Sequence, residues 1–126
     1  MPTLDKTSEE IGPLVAAIGP AGFRVGDRMV PGGLILTPDS ALDWTATSLG
    51  SLTEADFAFF LTLDPQPEFV LLGTGASLRR PAPALTAALE ARHLYLEPMD
   101  SRAAARTWGL LRAERRQIAA ALLPVA

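Results

Sequence analysis

Two glycines closing an apolar run, in "EFVLLGTGASLRRP" (residues 68–81), are the nearest this chain comes to a phosphate cradle. A backbone without Cβ lets a phosphate approach closely, and a helix that follows offers free N–H groups and the positive end of its dipole. Gly73, Thr74 and Gly75 supply the minimum of that pattern. The dinucleotide fingerprint asks for a third small residue where Leu78 stands, Pro81 and Pro83 delay the helix, and the Walker A lysine is missing. Glu97 lies near the distance of a ribose-binding acid, but it is one acidic residue among 14. The expectation is a structural turn at a strand end, with a pocket lining as its nearest functional use.

Arg79 and Arg80 beside that turn could clamp an anion, with Arg106 converging from a later helix. The plainer reading is a solvated basic rim, because Arg102 and Arg106 fall opposite Ala104, Thr107, Trp108 and Leu111 on a helical wheel. A candidate pocket or interaction site therefore takes in Gly73, Thr74, Gly75, Arg79, Asp100, Ser101, Arg102 and Arg106. His93 is the only histidine and sits at a predicted helix end, where imidazolium complements the C-terminal dipole. No G-x-S-x-G elbow supplies a serine for it to activate. Asp39 and Asp43 lack metal-ligand spacing and read as turn-capping acids. No catalytic residue, metal ligand or cofactor is assigned, and the expectation leans away from an enzyme.

The elements that must position these residues follow from pattern. Residues 1–15 are expected as a flexible N-terminal arm, held only if Leu14, Val15 and Ile18 find a groove, and residues 16–126 as a single domain. "FRVGDRMV" reads as two short strands reversing at Gly26 and Asp27, and "GGLILTP" as a buried strand. In "LTEADFAFFLTL", Thr53 and Asp56 make an acidic capping box, Leu52 can staple onto Phe57, and Phe57, Phe60 and Leu61 form the core face. Pro83 opens a second helix with Leu85, Ala88 and Leu89 at helical spacing. "HLYLEPM" is a short strand stopped by Pro98, "SRAAARTWGLLRAE" a third helix and "QIAAALLP" a last strand. Trp108 belongs to that helix's core side, and Gly109 beside it predicts close packing or a kink, since glycine in a helix interior costs about 1 kcal/mol against alanine. The order β-β-α-β-α-β-α-β predicts an α/β domain with a mixed sheet and helices on at least one face.

Composition sets the outer bounds. A chain of 126 residues with 48% apolar and 20% charged residues supports one core. Its net charge of −3 gives no long-range field for nucleic acid or an anionic membrane. The absence of cysteine excludes disulfides and thiolate chemistry. The first residues resemble no secretory or transit signal, and no apolar run reaches membrane-spanning length, so the expectation is a cytoplasmic protein that is not integral to a membrane.

"GGLILTP", a tryptophan, "LTEADF", "VLLGTG", "LRRP", "EPMDS", "AARTWGLL" and "ALLP" occur in that order. Each is weak alone, but the ordered set is specific. It resembles the Mth938-like family of small single-domain proteins, which includes a mitochondrial complex I assembly factor and many uncharacterised bacterial and archaeal members. The resemblance runs from Phe23 to Pro124 and implies a three-layer β/β/α fold with a mixed sheet. The family usually carries Thr-Tyr-Asn where this chain has Thr107, Trp108 and Gly109, and commonly threonine in place of Ser101, so any ligand role of that asparagine is not carried over. The resemblance implies a non-catalytic interaction protein whose partner is a respiratory-complex subunit or another assembly factor. The alternative is a small-molecule binder or enzyme using a pocket near Gly73–Gly75 and Asp100–Arg106.

Overall fold

The computed structural model describes residues 11–125. Three short strands, β1 (Val15–Gly19), β2 (Gly22–Val25) and β3 (Arg28–Val30), form an antiparallel sheet in that order. Its second reversal is the expected one: Gly26 adopts φ +60°, which lets Gly26 and Asp27 turn the chain between paired Val25 and Arg28. Five more strands form a mixed sheet: β4 (Gly33–Leu36), β5 (Ala41–Trp44), β6 (Val70–Gly73), β7 (Leu96–Met99) and β8 (Ala119–Leu122). Their order is β5-β4-β8-β6-β7. β4 runs antiparallel to β5 and β8, and β6 runs parallel to β7 and β8. The helices are α1 (Ala58–Leu61), entered through a 3-10 turn at Glu54–Phe57, α2 (Pro83–Glu90) and α3 (Ser101–Ala113).

Side chains alternate across a strand, so both faces of the large sheet can be read from sequence parity. Ile35, Val70, Leu72, Ala119 and Ala121 face a core closed by Phe57, Phe60, Leu85 and Leu89 from α1, α2 and the turn before α1. Leu34, Leu36, Leu71, Ala120 and Leu122 face a second core shared by Phe23 and Val30 of the small sheet and by Ala104 and Trp108 of α3. α3 thus packs on the same side of the large sheet as β1 to β3. Strands covered on both faces read as continuous apolar runs, as "LIL", "VLL" and "AAAL" do. The result is the expected α/β domain with a mixed sheet.

The expected order has two strands before the first helix and the structure has five; of these, β1 and β5 were not expected as strands at all. Both are edges of their sheets with two residues exposed; β1 (VAAIG) is apolar but follows Pro13 and ends at Gly19 in a stretch that reads as an arm, and β5 (ALDW) is too short and mixed to announce itself. Val15, inside the expected arm, already pairs with Val25; residues 1–10 of that arm lie outside the described residues. The turn between β4 and β5 is organised by Thr37 rather than Asp39, since Thr37 Oγ1 accepts from the backbone N–H of Asp39 (3.2 Å) and Ser40 (3.0 Å). Asp43 lies on β5, 3.7 Å from Arg28. β7 continues through Pro98 to Met99, which an edge strand permits because its outer side needs no ladder donor.

Local signals behaved as their chemistry requires at the helix starts. Asp56 Oδ2 accepts from the Thr53 backbone N–H at 2.8 Å, and Pro83 occupies the first turn of α2, where a missing N–H is harmless. After α2, His93 takes φ +63° while the Leu94 N–H reaches back to Leu89 O at 2.9 Å, a left-handed stop usually given to glycine. The connection from α3 to β8 is fixed to the start of β6 by Arg116, whose guanidinium meets Glu68 through two hydrogen bonds of 3.0 and 3.1 Å. That bonding holds the Glu68 carboxyl below its ordinary range and raises Arg116.

Candidate functional site

The glycine turn leaves β6 where α3 begins, and the two are joined through one buried hydroxyl. Ser101 Oγ donates to Leu123 O (2.6 Å) and accepts from the Gly75 N–H (3.0 Å), while the Ser101 N–H donates to Gly75 O (2.9 Å). The Thr74 N–H donates to Met99 O at 2.7 Å, and Thr74 Oγ1 donates to Ser77 O at 2.7 Å while accepting from the Arg79 N–H at 3.1 Å. At the head of α3, Asp100 Oδ2 accepts from the Ala103 N–H at 3.1 Å. The donors an incoming anion would need at Thr74, Gly75, Ser101 and Ala103 are therefore committed within the chain. Gly73 is bare for a packing reason: a Cβ there would sit 2.7 Å from Ser101 Oγ, 2.8 Å from Leu122 Cδ2 and 3.0 Å from Ser101 Cα. Among the described residues no buried side-chain nitrogen or oxygen lacks a hydrogen-bond partner.

The structure therefore brings Gly73, Thr74, Gly75, Asp100 and Ser101 into one knot and distributes the arginines around it. Arg79 lines a concavity together with Thr74, Gly75 and Ser77 of the turn and with Thr47 and Pro124, so of the expected pocket it is the arginine that stays beside the turn. Arg80 lines another with α2. Arg102 and Arg106 border a cleft between α3 and β1 that shares no residue with either. Both are exposed and make no hydrogen bond or ion pair among the described residues.

That cleft continues into a second one, of about 500 Å³, with Val15, Ala105 and Arg106 common to both. One wall is the segment entering β1, which is pinned to α3 from beneath. Trp108 Nε1 donates to Pro13 O (2.8 Å), and Arg112 Nε donates to Ile11 O (2.9 Å). Arg112 is buried on the core side of the helix, against the pattern its charge suggests, and burial lowers its pKa while the charge of Asp39 opposes the shift. The other wall is the outer stripe of α3, where Leu110 is 68% exposed and faces across to Leu14, 45% exposed. Sequence reasoning marked Leu14 as a groove-seeking residue and Gly109 as a packing or kink site, but passed over Leu110. The available signal was Leu110 itself, an aliphatic residue one turn beyond Arg106 on the face assigned to solvent.

Gly109 corrects the expectation of close packing. A Cβ there would meet nothing nearer than Leu14 Cδ2 at 3.9 Å, an ordinary contact. Gly109→Ala is accordingly expected to stabilise the chain by about 1 kcal/mol, the helix-propensity difference, as a rise in denaturation midpoint. A loss of stability would restore an internal packing role for the glycine.

Comparison with known proteins bears on what such a surface does. A family described as a protein of unknown function (DUF498/DUF598) matches residues 15–123. The zebrafish (Danio rerio) protein named NADH dehydrogenase (ubiquinone) 1 alpha subcomplex assembly factor 3 is 31% identical over 113 residues, covering 90% of this chain. This chain spans 65% of that protein's length and 56% of its bovine counterpart's. An uncharacterised protein of Rhodobacter capsulatus is 34% identical over 107 residues, covering 85% of this chain and 81% of its own. A solution structure from Bordetella pertussis, described as an Mth938-like domain, has a TM-score of 0.77 at 24% identity, covering 90% of this chain and 87% of that one.

Proposed function

The chain belongs to the DUF498/DUF598 family and has the Mth938-like fold, and from that premise we propose that it is a non-catalytic interaction protein acting in the assembly of a respiratory complex. The observation that carries this reading is the extent of the likeness to proteins named complex I assembly factors: it spans 90% of this chain, the whole folded domain rather than one motif. The local chemistry supports it. The polar groups around the glycine turn satisfy one another, whereas Arg102, Arg106 and Leu110 are presented outward. Its partner is a subunit of the complex or another assembly factor. Among the described residues no helix is long and apolar enough to cross a membrane.

Tagged protein isolated from its native cell is expected to retain such a partner. Arg102→Glu with Arg106→Glu should weaken that retention while moving the stability by no more than about 0.5 kcal/mol, as is usual for exposed charges. Quantitative mass spectrometry of the retained proteins, beside a thermal melt of the variant, checks both. The reading fails if deletion leaves complex I assembly intact while the purified protein turns over a metabolite in a manner that depends on Arg79 or Asp100.

A further inference from the structure

We propose that the trough between α3 and the segment entering β1 is a docking groove for an amphipathic helix of a partner protein, one that carries an apolar stripe flanked by carboxylates. The inference rests on the interaction reading above and specifies its surface. The two clefts share Val15, Ala105 and Arg106, so they form one channel along α3 from Arg102 to Ala113. At 1.5 Å per residue that channel is about 16 Å long, the length of three helical turns.

Its two ends differ in chemistry. Near the start of α3, Arg102 and Arg106 stand one turn apart on the same rim, each exposed and without a bonded partner among the described residues. In a chain of net charge −3 this is a local reversal of sign, and it attracts carboxylates. Acidic side chains four residues apart on a facing helix have the matching spacing, and each guanidinium can hold a carboxylate through two parallel hydrogen bonds. Two arginines are too few to make the broad basic field that a nucleic-acid or lipid surface requires. Toward the other end the channel is apolar, with Leu14 and Leu110 on opposite walls.

Gly109 lies between those leucines. Alanine would fit at this position without a clash, so the missing side chain serves no contact within the described chain. The bare backbone there lines the cleft beside Leu14 Cδ2 and leaves room for a side chain from outside.

The test titrates the full-length protein with a synthetic helical peptide of about five turns, carrying leucines at i, i+3 and i+4 and glutamates four apart along one flank. The same peptide with lysine in place of glutamate is the control. The glutamate peptide is expected to bind saturably, to shift the amide resonances of Leu14, Gly109 and Leu110, and to weaken as salt is raised. Arg102→Glu with Arg106→Glu should weaken it about tenfold and transfer the preference to the lysine peptide. Gly109→Leu, which fills the channel, should weaken both peptides about tenfold at unchanged helical content.

Equal binding of the two peptides, resonance shifts confined to another face, or no saturable binding overturns the proposal. Self-association that shifts the same amides assigns the channel to a second copy and also overturns it. Because the chain has no cysteine, a spin label at Thr3→Cys can report on the chain's own first residues. Broadening of Gly109 and Leu110 in the free protein would show that those residues fill the channel, and the proposal would fall. Retention of the native partner undiminished by Gly109→Leu rejects the groove and leaves the assembly reading standing. If the unmodified protein retains no native partner while the peptide results hold, the groove stands and the assembly reading falls.

Discussion

Trp108→Ala is expected to cost about 3–5 kcal/mol, the range for truncating a buried aromatic, and so to remove much of the roughly 5–15 kcal/mol that holds a domain of this kind together. The indole is fully buried in the core that the large sheet, the small sheet and α3 share. Its removal therefore leaves a void bordered by three elements that cannot all close in. It also takes away the donor that holds Pro13 O at 2.8 Å, and with it one of the two bonds fastening the segment before β1 to α3. Trp108→Phe separates these effects: most of the ring volume remains, and the loss should fall to about 1–2 kcal/mol. Denaturant titration measures both variants. A loss under about 1 kcal/mol for the alanine variant would show that the indole is not a core residue.

Gly73→Val is the second large effect, on the order of 3 kcal/mol or more. A β-carbon alone would enter contacts of 2.7 Å and 2.8 Å with Ser101 Oγ and Leu122 Cδ2, before the valine methyl groups are placed. Overpacking of this kind costs about 1–3 kcal/mol. Ser101 cannot yield without releasing Leu123 O and the Gly75 N–H, each of which would then be buried without a partner, at about 1–3 kcal/mol. Ser101→Ala should relieve part of the clash, so the double variant Gly73→Val with Ser101→Ala is expected to be less destabilised than the sum of the two single changes. Strict additivity would mean that the two residues do not meet. Gly73 is thus kept bare by the packing of α3 against β6 rather than by the approach of a ligand.

Sequence signals were legible where one physical cause dominated. The capping box at Thr53 and Asp56, the proline at the start of α2, the reversal at Gly26 and Asp27 and the core side of α3 at Ala104 and Trp108 each followed from a local rule, and each stands in the structure. β5 was not legible because an edge strand of four residues needs only one buried side chain, here Trp44, and β1 because its apolar VAAIG, with no residue fully buried, follows a Pro/Gly-broken stretch that reads as an arm. The burial of Arg112 could not be read from sequence, because hydropathy assigns a guanidinium to water, whereas backbone carbonyls of Ile11 and Arg116 receive this one. Within the candidate site, the knot of Gly73, Ser101 and Leu123 depends on residues brought together by β6, α3 and the exit from β8, which no spacing along the chain reveals. Leu110 was hidden for the opposite reason: a wheel diagram classes its side as solvent and does not show that the segment before β1 makes it the wall of a cleft.

The place of β8 has a consequence for biosynthesis. It is the last strand in chain order, yet it lies at the centre of the large sheet, with β4 on one side and β6 on the other. Leu34 must wait for Leu122, and Val70 for Ala119, so nearly the whole domain has to be translated before either strand meets its inner neighbour. Pairings of such long sequence separation close slowly, and until they close the ribosome displays two apolar strands with unsatisfied edges. A nascent domain of this design has no stable half-made form. A chain interrupted before Ala119 would reach the cell's proteases as unfolded polypeptide rather than as a weakened form of the native domain.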